Sequence, residues 1–398
     1  MRQNEKIKEK PKYLVIVFMF VIMILSAMGD NLRGVFIPSF KADFVVTDTH
    51  MGIMLVVGSI GYIICAYLGG MICETLGHKK VINIGLAFMV ISLFTMYLSP
   101  NFIVLMIGMF LINAGWAFIG LAINTVVPII AVSFQAIIMN LVHFSFGVGA
   151  TITQRSAGLL LSKGIEWRTM YLFISILFFI VLIAFIPVKI PSIERSKEDK
   201  KIDYKSIFKN KLVYFYMISL GFYVGAEIGT GNWFVNYMKE TYAYTENQGT
   251  YYTTLFFGTF ALGRLLGGFI VEKLGTVKTV LISSVLAFLF YIVGIIIGQD
   301  GLALVGASGL FFSIIFPTLI LSTNEVFKKN TTYIIGILTT ASSAMSMVIN
   351  FVIGWLNDHI GVSATYYTIP ICLLLNIVFV YLIYINYKKQ KNTLDNPV

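Results

Sequence analysis

"GGMICETLGHKK" (residues 69–80) and "GGFIVEKLGTVK" (residues 267–278) share the pattern G-G-x-x-x-E-x-L-G and a trailing lysine, 198 positions apart. Upstream, "SFKADFVVTDTH" (39–50) and "NYMKETYAYTENQ" (236–248) align at the same offset, with Lys41 on Lys239 and Thr47 on Thr245. Downstream, Gly158 and Gly164 answer Gly354 and Gly361. The second half of the chain therefore repeats the first in the same direction.

The residues around these motifs are those of a membrane protein. The 398-residue chain is 58% apolar and 12% charged, against about 25% charged in a soluble domain. Runs of about 20 apolar residues, each enough to cross a bilayer, recur from end to end. Hydropathy and turn signals place twelve segments near 13–39, 49–73, 79–98, 102–127, 134–161, 168–188, 212–238, 248–272, 277–297, 301–326, 332–356 and 363–386. Lipid admits only helices or closed barrels, and runs of this length are helices. The expected fold is all-α and polytopic, with twelve transmembrane helices in two six-helix bundles related by a pseudo-two-fold axis. The expected division is an N-terminal bundle over 1–188, a cytoplasmic linker over 189–211 and a C-terminal bundle over 212–398. The basic start "MRQNEKIKEKPK" runs into an apolar segment too long for the core of a cleaved signal, so the first helix is expected to stay.

Charge sets the expected orientation. With the N-terminus inside, the cytoplasmic segments hold 22 Lys and Arg and the outer loops four, Lys41, Lys163, Arg168 and Lys239. Such a bias places both termini in the cytoplasm. It also accounts for the net charge of +10 without a nucleic-acid partner. Cys65, Cys73 and Cys372 lie in apolar segments without ligand spacing and read as small hydrophobes. There is no phosphate-cradling loop, H-E-x-x-H or intramembrane G-x-S-x-G, so no enzyme, cofactor or metal site is expected.

Parallel repeats of six helices are a transporter architecture. The G-x-x-x-D/E-x-x-G-x-K/R segment resembles the motif between helices 2 and 3 of the major facilitator superfamily. Its glycines let helices approach closely. The resemblance implies a cytoplasmic gate contact made by Glu74, Gly77, Lys79 and Lys80 and, in the second half, by Glu272. Arg264, eight residues before Glu272, is grouped with this gate.

A narrower resemblance rests on "YVGAEIGTGNWFVNYMKE" (223–240), "LGRLLGGF" (262–269) and "IIFPTLILS" (314–322), and more loosely on "NLRGVFIPSF" (31–40) and "NLVHFSFGVGA" (140–150). These segments resemble the fucose–galactose–glucose:proton symporter family. The resemblance implies proton-coupled sugar transport across a bacterial cytoplasmic membrane. In that family an acid follows N-L-N on helix 1 and another precedes an asparagine on helix 4. Here Gly34 and Gly120 occupy those places, while Asn31 and Asn124 remain. The coupling acids must therefore lie elsewhere, or the protein is a uniporter, or its substrate is not a neutral sugar.

Two carboxylates lie well inside the helices, Asp30 and Glu227, 197 positions apart. A charge at mid-bilayer costs about 2.5–3.5 kcal/mol on insertion scales and so faces water or a partner. A carboxyl removed from water is also a candidate proton carrier. Asp30 has Arg33 at i,i+3, which suits a static pair. For Glu227 the structural reading is a bond to Arg264 or an asparagine, and the functional reading is a substrate or proton ligand. His143 lies near Asn140 and is weighed as a packing residue or a ligand. Asn124, Asn140, Asn232 and Asn236, with Asn113, Gln154 and Asn350, suit the paired donors and acceptors of a sugar. Trp116, Phe144 and Tyr223, with Trp233 and Tyr237, could stack on a pyranose or simply fill the core. The expected partners are a small solute, a proton and the bilayer, with the protein a monomer. A major facilitator exporter of drugs or amphipathic metabolites is the competing reading.

Overall fold

A computed structural model describes residues 2–130, 135–190, 204–327 and 331–395. Among the described residues the chain is helical throughout and has no strand. The first six helices are α1 (Arg2–Phe44), α2 (Asp48–Leu76), α3 (His78–Leu98), α4 (Phe102–Ile130), α5 (Gln135–Ser162) and α6 (Trp167–Phe185). A short α7 (Tyr204–Lys209) precedes α8 (Lys211–Tyr242), α9 (Glu246–Leu274) and α10 (Thr276–Ile297). The chain ends with α11 (Leu302–Ala307), α12 (Gly309–Val326), α13 (Thr331–Ile360), α14 (Val362–Thr365) and α15 (Thr368–Asp395). Eleven spans among the described residues are long and apolar enough to cross a membrane.

Two compact units emerge. One comprises 1–197 with 245–251, and the other 198–244 with 252–398. In the first, α4 packs on α2 and α3, α1 on α5, and α6 on α3. In the second, α8 packs on α13 and α15, and α10 on α12 and α15. The pairing of α1 with α5 is repeated by α8 with α13, and that of α3 with α6 by α10 with α15. Apolar side chains are buried inside each unit: Ile22, Phe36 and Phe40 on α1, and Leu220, Phe234 and Met238 on α8, are almost wholly buried.

The repeat extends to the backbone. Gly77 ends α2 at φ 80° and ψ 158°, and Gly275 ends α9 at φ 81° and ψ 161°. A side chain is strained at such a φ, so each L-G turn needs its glycine. The helix starts match as well. Thr47 N and Oγ1 lie 3.4 and 3.0 Å from His50 Nδ1, while Thr245 N and Oγ1 donate to Gln248 Oε1 at 2.9 and 3.1 Å. Both are capping boxes, in which residues at the cap and three positions on satisfy each other's donors.

Three segment boundaries differ from the sequence reading. The first helix runs beyond 13–39 at both ends. The tenth segment, expected over 301–326, is divided at Ser308. There the hydroxyl donates to Val305 O at 2.6 Å, and the backbone N–H reaches both Leu304 O and Val305 O. Gly309 follows and sits so close to α9 that a Cβ would stand 2.1 Å from Phe256 O. The twelfth segment is divided between α14 and α15 by the turn at Tyr366 and Tyr367.

Candidate functional site

The first unit holds Asp30, Trp116, Asn124, His143 and Phe144. Asp30 Oδ1 pairs with Arg33 Nη1 at 2.8 Å on the same face of α1. Both side chains are largely but not wholly buried. The buried Tyr171 hydroxyl of α6 has no hydrogen-bond partner and lies in the field of this pair. Nothing in the apolar run around Tyr171 marks it, so sequence reasoning missed it. Gln154 of α5 is fully buried and donates to Asn31 O at 3.1 Å, tying α5 to α1. Trp116 of α4 lies against Phe146 of α5, ring centroids 5.2 Å apart. His143 and Phe144 are partly buried on α5, and Asn124 is exposed on α4. The side chains of Asn140 and Glu74 lie outside the described residues.

The second unit gathers Glu227, Tyr223 and Arg264. Glu227 is partly buried midway along α8. It stands one turn after Tyr223 on the same helix and feels the positive charge of Arg264 on α9. The Tyr223 hydroxyl donates to the carbonyl oxygen of Phe312 on α12 at 2.6 Å. Arg264 carries its guanidinium 4.9 Å from the Phe260 ring centroid, and its Nε is buried without a hydrogen-bond partner. Arg264, which the sequence offers both as a partner of Glu227 and as part of the gate, stands in the field of Glu227. A carboxylate beside a cation can carry a charge inside a helix bundle, and can lose that charge by taking a proton.

Amides of this unit also bond across helices. Asn232 Nδ2 donates to Asn350 Oδ1 at 3.0 Å, and Asn350 Nδ2 to Ser346 O at 2.9 Å, joining α8 to α13. Asn236 is fully buried. Tyr237 stacks on Tyr366 with centroids 4.0 Å apart, and Trp233 is buried with its Nε1 unpartnered. A further chain of hydroxyls runs from Thr230 to Tyr291 at 3.0 Å and from Tyr291 to Tyr366 at 2.7 Å. Of the gate residues, Lys79 binds the end of α6, and Lys80 and Glu272 are exposed.

Two six-helix units built on one repeat, each with a carboxylate inside its first long helix, define a polytopic membrane transporter. The model of the Major Facilitator Superfamily matches residues 19–234 and 224–397, and the chain belongs to that family. It is therefore a transporter and not an enzyme. A glucose/galactose transporter of Brucella abortus is 24% identical over 361 residues, covering 86% of this chain and 87% of its own. A cis,cis-muconate transport protein of Acinetobacter baylyi is 20% identical over 287 residues, 69% of each chain. Among solved structures, a variant of the E. coli fucose:proton symporter FucP superposes with a TM-score of 0.67 at 18% identity, covering 93% of this chain and 98% of that one.

Proposed function

We propose that this transporter moves a sugar or similar small polar solute across a bacterial cytoplasmic membrane, coupled to protons, by alternating access. Glu227 is the observation that carries the reading. An ionisable group inside a membrane helix faces a partner or a pathway and serves function by default. This one is partly exposed, with the Arg264 cation at hand. Protonation cancels its charge, which suits a carrier that must change conformation with and without cargo. The names of the B. abortus relative and the E. coli structure support a sugar and a proton. The charge bias of the loops supports cytoplasmic termini.

Asp30 and His143 are the further coupling candidates. Asn124, Asn140, Asn232 and Asn236 are the amides proposed to serve the solute's hydroxyls, and Trp116, Phe144 and Tyr223 the proposed aromatic surfaces. The protein acts as a monomer in this reading.

The test is uptake of a panel of labelled sugars into proteoliposomes, with and without an inward proton gradient, for wild type and Glu227→Gln. Gradient-driven accumulation by the wild type, lost in the variant, is the expected result. Accumulation that ignores the gradient would sink the coupling. Absence of sugar flux, with drug resistance that tracks expression in cells, would transfer the protein to the exporters.

A further inference from the structure

Glu227 and Arg264 carry opposite charges on two membrane helices of the second unit, and among the described residues no ion pair joins them. The fold nevertheless brings them to one level. A Cβ on Gly231 of α8 would meet the Phe257 ring of α9 at 3.2 Å. The two helices are joined by the short link from Tyr242 to Glu246, so they run in opposite directions. Two turns beyond Phe257 on α9, Arg264 therefore stands opposite Val224, between Tyr223 and Glu227. The contacts with α12 give the same placement. The Tyr223 hydroxyl reaches Phe312 O at 2.6 Å, and a Cβ on Gly263, the residue before Arg264, would meet Leu310 O and Ser313 Oγ.

The other faces of α8 are taken. Ser219 meets Asn376 of α15, Gly221 and Gly225 meet Met345 and Ile349 of α13, and Thr230 meets Tyr291 of α10. Met217, Val224, Glu227, Ile228 and Gly231 share one further sector and are all partly exposed. Glu227 is the polar side chain of that sector. On α9 the Phe260 ring lies 4.9 Å from the Arg264 guanidinium, and Arg264 Nε is buried without a hydrogen-bond partner. A ring over the guanidinium occupies a face of its plane, whereas its N–H donors point out along the edge. The cation is thus oriented, and the ring leaves its donors unused.

Two charges held apart inside a membrane are costly, and a ligand that bridges them removes the cost. Their sum is zero, which suits a solute without net charge. Adjacent hydroxyls on such a solute present, side by side, an oxygen that accepts and an O–H that donates. We propose that Arg264 is a solute ligand, and that with Glu227 it binds two adjacent hydroxyls of a neutral polyol. The guanidinium donates to one hydroxyl oxygen and the carboxylate accepts from the next hydroxyl. The inference rests on the sugar reading of the proposed function and names the part of the sugar that is held.

The experiment is calorimetric binding to the protein in lipid nanodiscs. The probes are D-glucose, D-galactose, their monodeoxy analogues, sorbitol with its deoxy analogues, and glycine as a zwitterion. In the wild type, deletion of either of two neighbouring hydroxyls weakens binding about tenfold to hundredfold, as loss of a hydrogen bond to a charged group does. Arg264→Gln reduces the penalty at one of these positions to severalfold and leaves the other, and Glu227→Gln does the reverse, because neutral bonds replace charge-assisted ones. Arg264→Lys retains the cation beside Glu227 without the planar fork, so it keeps the Glu227 position and binds severalfold more weakly. Unfolding temperatures control for folding, and Arg264→Lys carries the test if Arg264→Gln does not fold.

A deoxy profile unchanged by the Arg264 variants overturns the proposal. So does a pair of sensitive positions that are not neighbours, or binding of glycine in place of the polyols. If hexoses bind and drive proton-coupled uptake while the Arg264 variants shift no position, only this inference falls. If sorbitol shows the expected pattern and the hexoses do not bind, the sugar reading falls and the hydroxyl-pair site stands. If neither class binds, both fall.

Discussion

Lys79 Nζ donates to the carbonyl oxygen of Ile186 at 2.7 Å, binding the start of α3 to the C-cap of α6 across 107 residues of chain. A cation at a helix C-terminus meets the negative end of the dipole and one of the carbonyls the helix leaves unsatisfied. Lys79→Met is expected to lower stability by about 0.5–1 kcal/mol, the range for an exposed charge at a helix end. Lys79→Arg retains most of it, and Lys80→Met, changing an exposed neighbour, leaves it unchanged. Thermal unfolding in detergent separates the three. Equal losses at Lys79 and Lys80 would show that the bond contributes nothing.

Glu227 and Arg264 answer to a double-mutant cycle. Removing either charge alone leaves the other partly buried without its counter-charge. Arg264→Gln is therefore expected to be less stable than the double variant Glu227→Gln/Arg264→Gln. The coupling energy should fall at about 0.5–3 kcal/mol, the range for residues in one network. Additive single effects in unfolding experiments would mean that the two charges do not act on one another.

The capping boxes predict a chemical equivalence between unlike residues. His50 and Gln248 occupy matching positions and each satisfies the backbone N–H of its threonine. Thr47→Ala and Thr245→Ala should each cost about 1 kcal/mol, the usual loss of an N-cap. His50→Gln reproduces the bond already present at Gln248 and should be neutral. A loss from His50→Gln as large as that from Thr47→Ala would show that the imidazole does something the cap does not, such as its edge contact with Phe102 at 6.0 Å.

Much of the fold was legible because it is periodic. The L-G turns, the threonine caps and the apolar runs recur at one offset, so one half checks the other. The i,i+3 pair of Asp30 and Arg33 was legible for the same reason: both ends of the bond lie within one turn. The break at Ser308 was not, since apolar residues continue through it and its cause is a backbone approach at Phe256. The partner of Tyr223 was equally hidden, because a main-chain carbonyl has no residue signature. Asp43, which accepts from Trp167 Nε1 at 2.8 Å and from Arg168 Nη1 at 2.6 Å, is a third case. Both donors lie more than 120 residues away, and no local pattern announces such a bond.

The paired glycines divide their labour, and this gives the sharpest prediction. In sequence, Gly69–Gly70 and Gly267–Gly268 read as two equal sites for close helix contact. In the fold only the first of each pair is covered. A Cβ on Gly69 would meet Phe118 of α4 at 3.1 Å, and one on Gly267 would meet Ile314 of α12 at 3.0 Å. Gly70 and Gly268 have no neighbouring atom within 4 Å. Gly70→Ala and Gly268→Ala should therefore stabilise the protein by about 0.5–1 kcal/mol, since alanine loses less freedom than glycine in a helix interior. Gly69→Leu and Gly267→Leu should destabilise by about 1–3 kcal/mol or more, as overpacked contacts do. Unfolding temperatures of the four variants form the test, and they must fall into two groups by position in the pair, not by half of the chain. If Gly70→Ala and Gly268→Ala retain full stability yet slow uptake, the second glycine serves the transport cycle, and the motif splits into a packing half and a moving half.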